Sequence, residues 1–89
     1  MKAIITVTGE DRIGVIGKIC TYLANHTINI LDISQTILGG YLNMAMIVNL
    51  AQSSATFDDI AAGLAGLGRQ MNYVIRIQHE DIFKNMHRI

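Results

Sequence analysis

The sequence has no proline, one cysteine and few charges. Cys20 alone can form no internal disulfide, so a reducing cytoplasm is the expected compartment. It falls on the apolar stripe of a helical segment, where a small buried thiol is inert. Charged residues make up 16% of the chain, seven basic against seven acidic, for a formal net charge of zero. That balance leaves no electrostatic footprint for nucleic acid or an anionic membrane surface. Apolar stretches are broken well before the ~20 residues of a membrane span. The N-terminal residues enter a strand pattern directly, without a basic segment followed by a continuous apolar one, so export is not expected. What the chain holds in plenty is apolar side chains, 51% of 89 residues. One compact domain with a full core, spanning residues 1–89, is the expectation.

Ala3, Ile5 and Val7 alternate with Ile4, Thr6 and Thr8 as in a half-buried strand. The polar turn Gly9-Glu10-Asp11-Arg12-Ile13-Gly14-Val15 ends it. From Ile13 onward, Ile16, Ile19, Cys20 and Leu23 follow the spacing of one helical face, with Asp11 placed to cap the helix and His26 near its negative end. Asn29 to Leu38 reads as a second strand. Gly39-Gly40 is a two-residue hairpin signal into a third, with Leu42, Met44, Met46, Val48 and Leu50 at alternate positions. Thr56 with Asp59 three residues on opens a second helix carrying Phe57, Ile60, Ala61, Leu64, Leu67 and Met71. Gly63, Gly66 and Gly68 cost it roughly 1 kcal/mol each against alanine, which points to close approach to the sheet or an early end. Tyr73, Ile75 and Ile77 supply a fourth strand, and residues 81–88 read as a short C-terminal helix.

The order βαββαβ, with right-handed crossovers around a central hairpin, predicts an α+β ferredoxin-like fold: a four-stranded antiparallel sheet with both helices on one face. Ile4, Ile30, Leu38, Ala45 and Ile47 fall opposite the core set, giving the bare face a composition that usually finds a partner. An exposed edge at Asn29 to Leu38 can pair with its copy across a two-fold axis, so a homodimer is expected.

Several activities are excluded by what the strands and loops lack. An RNA-reading module of this order needs aromatic stacking residues on its central strands, and Ala3 to Val7 and Leu42 to Leu50 carry none. A heavy-metal carrier needs two thiolates in the first loop. His26, His79 and His87 share no ligand spacing, so no metal and no cofactor are expected. Ser34, Ser53 and Ser54 have no histidine and carboxylate partners for nucleophilic catalysis. Gly14-Val15-Ile16-Gly17-Lys18 resembles the phosphate loop of acylphosphatases. Lysine there gives up the planar two-pronged grip of arginine, and Ile13 replaces the expected glutamine. Hydrolysis of an acyl phosphate is therefore the weaker alternative, and the chain is read as no enzyme.

Asp11-Arg12-Ile13-Gly14-Val15, with Asn29-Ile30 at the start of the second strand and Ile33-Ser34-Gln35 beyond it, resembles the pattern of ACT domains. That family carries Asp-Arg-Pro-Gly at the first turn; isoleucine stands here for proline, which removes a rigidifying element. Within the family the chain most resembles small bacterial and archaeal proteins made of a lone ACT domain, a group of uncharacterised function. The resemblance implies a regulatory domain that binds an amino acid at a dimer interface, between the first loop of one chain and the second strand of its neighbour. Asp11, Arg12, Ile13, Gly14, Val15, Asn29 and Ile30 are then the ligand-binding residues. Backbone N–H groups around Ile13 to Val15 would hold a carboxylate, and Asp11 with Asn29 an α-ammonium group. Each also has a purely structural reading: a cap for Asp11, packing for Gly14, a turn for Asn29, a solvated charge for Arg12. Without an attached catalytic domain, occupancy has to reach a partner protein in trans, through the bare sheet face or the C-terminal helix. The alternative is a pure assembly module whose ligand site is vestigial.

Overall fold

A computed structural model describes residues 1–81 of the chain. Its elements are β1 (Lys2–Glu10), α1 (Val15–Asn25), β2 (Asn29–Leu38), β3 (Tyr41–Asn49), α2 (Phe57–Met71) and β4 (Val74–His79). The strands form one antiparallel sheet in the order β2-β3-β1-β4, the expected ferredoxin-like arrangement. The C-terminal helix expected over residues 81–88 lies outside the described residues from position 82 on. No helix among the described residues is long and apolar enough to cross a membrane.

Period-two alternation sends Ala3, Ile5 and Val7, then Leu42, Met44, Met46 and Val48, to one face of the sheet, where all are buried. Ile19 and Leu23 of α1 and Ile60 and Leu64 of α2 close over them, each at most 1% exposed. The hairpin forms as the glycine pair demands. Gly39 (φ 60°) and Gly40 (φ 84°) both occupy the left-handed region that a two-residue turn of matching twist requires. Thr56 caps α2, its hydroxyl accepting from the Asp59 amide at 3.1 Å. The helix does not end early at its glycines. It runs to Met71, and an added Cβ at Gly68 would lie 2.7 Å from the Tyr73 carbonyl oxygen, so this glycine lets α2 lie against the start of β4.

At five residues the structure departs from the expectation. Asp11 does not cap α1: the N-cap is Gly14, with no side-chain cap hydrogen bond, and the Asp11 amide instead donates to the Gly40 carbonyl at 2.9 Å. Ile13 lies before the helix and is fully exposed. Because α1 begins at Val15, its core stripe is Val15, Ile19 and Leu23. Ile16 and Cys20 fall on the flank, and the thiol is only partly buried. Ile30 does not share the bare face. Asn29 pairs with Asn49 and Ile30 with Val48, but Asp32 pairs with Ile47, so Leu31 is an extra bulge residue and Ile30 turns to the core side.

Candidate functional site

The first loop is held by the far end of α2. The Tyr73 ring crosses the backbone at Gly9, where an added Cβ would come within 2.7 Å of it. Its hydroxyl donates to the Glu10 carbonyl. The Arg12 guanidinium lies over the same ring, 5.5 Å from its centroid, and donates to the carbonyl of Met71, the last residue of α2. A cation there meets the negative end of the helix and satisfies a carbonyl that has no partner within it. Arg12 is thus engaged within its own chain.

These contacts leave the start of α1 open. Gly14 (φ 89°) turns the chain into the helix, and its carbonyl accepts the first intrahelical bond from Lys18 at 3.1 Å. Helix geometry leaves the amides of Val15, Ile16 and Gly17 without intrahelical acceptors, and α1 has no acidic residue in its first turn. Beside this terminus is a concavity of about 150 Å³, lined by Arg12, Ile13, Gly14, Val15 and Lys18 from the loop and α1 and by Gln70 and Met71 from α2. Among the described residues two cationic side chains and no acidic one border it. Uncapped amides, the positive helix end and this cationic rim suit a small carboxylate or another small anion.

Four of the seven residues expected to bind ligand, Arg12, Ile13, Gly14 and Val15, line this concavity; Asp11, Asn29 and Ile30 do not. Asp11 follows the end of β1 where Glu10 pairs with Tyr41, whereas Asn29 pairs with Asn49 at the end where Lys2 lies. Eight residue steps along β1 separate the two ends, roughly 25 Å at about 3.3 Å per residue. A single chain therefore does not bring the two groups together. Lys18, Gln70 and Met71 were not among the expected ligand-binding residues. Lys18 lies one helical turn beyond Gly14, a spacing visible in the sequence, but only the packing of α2 brings Gln70 and Met71 to the loop.

Edge strand β2 is unusually apolar for a strand with one free side. Ile33 and Ile37 pair with the core residues Met46 and Leu42, so they point to the helix-covered side, yet they remain 44% and 57% exposed. Leu31 and Leu38 on the same strand are 45% and 77% exposed. The two described histidines have aromatic partners: His26 stacks on Tyr22 at 4.1 Å and His79 on Phe57 at 4.0 Å between ring centroids.

The family model for the ACT domain matches residues 2–78. A UPF0237 protein of Bifidobacterium longum is 51% identical over 99% of this chain and 98% of its own length. Another, from the archaeon Methanococcus maripaludis, is 40% identical over the same shares of both chains. Among solved structures, an ACT domain protein from Streptococcus pneumoniae superposes with a TM-score of 0.82 at 36% identity, covering 93% of each chain.

Proposed function

Because the chain belongs to the ACT domain family, we propose that it is a non-catalytic regulatory domain. It binds a small metabolite, an amino acid, at the interface of a homodimer and acts on a partner protein in trans in the cytoplasm. The observation that carries the reading is the division of the expected ligand residues between opposite ends of one sheet. Pairing β2 with its copy about a two-fold axis normal to the sheet runs the two strands antiparallel. The neighbour's Asn29 then comes to the Leu38 end, beside the Gly39-Gly40 turn whose carbonyl holds the Asp11 amide. Such pairing satisfies the free backbone edge and covers Ile33 and Ile37.

In the closed site the α1 amides and Lys18 take the carboxylate, while Arg12, held on the Met71 carbonyl, adds its charge at the rim. Asp11 and the neighbour's Asn29 side-chain carbonyl accept from the ammonium group. Ile13 and Val15, with the neighbour's Ile30, supply apolar contact beside them. Regulation follows from linkage: a ligand that needs both chains stabilises the paired state, and a target that distinguishes paired from unpaired chains reads its concentration.

Thermal unfolding against a panel of the twenty amino acids and acyl phosphates, with the solution mass recorded in parallel, tests this. A ligand at 100 times its Kd contributes about 2.7 kcal/mol, a shift of several degrees in a domain this small. The expected result is a shift with one amino acid that disappears in Asn29→Ala. A stable dimer that responds to no compound identifies an assembly module instead. Turnover of an acyl phosphate abolished by Lys18→Ala would establish the enzyme reading.

A further inference from the structure

Among the described residues nothing covers the face of the sheet opposite the helices. In its middle, one cross-strand row holds the small side chains Ser34, Ala45 and Thr6, and the next row holds Ile47 and Ile4. An isoleucine ridge thus runs beside a trough, and the two enclose a concavity of about 290 Å³ bordered also by Asp32. The charged residues on the strand positions of this face are Lys2 and Arg76 against Glu10 and Asp32, so the face is electrically neutral. A strongly acidic or basic partner gains nothing from such a surface. The described residues span 34 × 31 × 19 Å, one sheet layer and one helix layer thick. Its broad face is large enough for the ~800 Å² per partner of a stable interface.

We propose that this face is occupied by a second copy of the chain, packed sheet to sheet. A two-fold axis in the plane between the sheets, perpendicular to the strands and midway between the two rows, seats each isoleucine ridge in the other copy's trough. The same rotation sets Asp32 over the second copy's Ser34, where the carboxylate accepts from the hydroxyl, and Arg76 over its Gln78, where the guanidinium donates to the side-chain carbonyl. Every contact occurs twice, as an isologous interface requires. An axis along the strands would instead set ridge against ridge. Aligned packing of two twisted sheets with interdigitating side chains is the ordinary geometry of a β-sandwich. This interface shares no strand edge with the β2 pairing, and the axis that brings the neighbour's Asn29 to Leu38 crosses β2 at Ile33 and Ser34, level with this one, so the two axes meet and close a particle of four chains with three mutually perpendicular two-fold axes.

Sedimentation velocity of the full chain, alone and as Ala45→Arg, tests the proposal. Ala45 is solvent-exposed, so the arginine fills the trough without entering the core. Thr6→Lys serves as a second obstruction should Ala45→Arg fail to fold by circular dichroism. The expected result is a four-chain particle whose mass halves in the variant. A two-chain particle that the variant splits into single chains also supports sheet-to-sheet packing and removes the β2 pairing. A four-chain or two-chain particle of unchanged mass in the variant overturns the proposal and leaves the face to an unlike protein. A parent chain that sediments as single copies overturns both interfaces.

Discussion

The two helices of this domain begin in opposite ways. α2 closes its N-terminus with its own side chains: the Thr56 hydroxyl accepts the Asp59 amide, and Asp58 and Asp59 lie in the first turn against the positive end of the helix. α1 starts at a glycine with no side-chain cap and no acid, beside Arg12 and Lys18. Both helices pack on the same sheet, so burial does not account for the difference. A helix start that fills its own anion position is finished as a structural element. One that leaves the position open, rims it with cations and follows a loop pinned by Tyr73 has the chemistry that suits a small anion.

The contrast can be broken at several points. The largest effect is expected at Gly68. Its added Cβ would lie 2.7 Å from the Tyr73 carbonyl oxygen and 3.3 Å from Ile75, so Gly68→Ala should cost about 2 kcal/mol in urea unfolding. Gly14→Ala forces alanine into a left-handed backbone (φ 89°). It should cost about 1 kcal/mol and abolish the ligand-induced thermal shift. Thr56→Ala removes the α2 cap at a similar cost of about 1 kcal/mol while leaving the ligand shift intact. That pair of variants, matched in stability and opposed in ligand response, is the sharpest test of the comparison. Arg12→Ala loses its place over the Tyr73 ring, worth about 0.5 kcal/mol at an exposed site, and should weaken the ligand response by loosening the loop.

The smallest effect concerns Tyr22, which lies between the helices with its hydroxyl 3.5 Å from the Ile60 carbonyl. Burial foremost, and the Asp59 carboxylate second, push its ionisation above the ordinary value of 10.0. Below that value both folded and unfolded chains keep the proton and stability is unaffected. Above it the unfolded chain releases the proton first, so stability falls as pH rises toward the folded value. Tyr22→Phe should flatten this alkaline decline, as measured by thermal unfolding across the alkaline range.

Much of the fold was legible in the chain because its signals are local. Alternation in Ala3, Ile5 and Val7, the Gly39-Gly40 pair and the Thr56 cap each operate within a few residues. The β2 boundaries at Asn29 and Leu38 also agree with the structure. The first loop was legible in part. Its residue types pointed to an anion site, and four of the expected residues do line the concavity. Asp11 was misread because its position suits a cap, whereas its backbone is drawn instead to the Gly40 carbonyl across the sheet. Ile30 was misread because a bulge at Leu31 shifts the alternation within β2, and strict period-two reasoning carries no warning of an extra residue.

The sequence by itself determined the element order, the apolar faces of β1 and β3 and the capped start of α2, since these follow from periodicity, turn chemistry and capping within short windows. Only the tertiary structure decided that Arg12 is spent on the end of α2, that Gln70 and Met71 complete the concavity, and that Asn29 lies at the far end of the sheet from Asp11. The physical reason is that such relations depend on strand register and on which distant segments share a layer, and these emerge when the whole core closes.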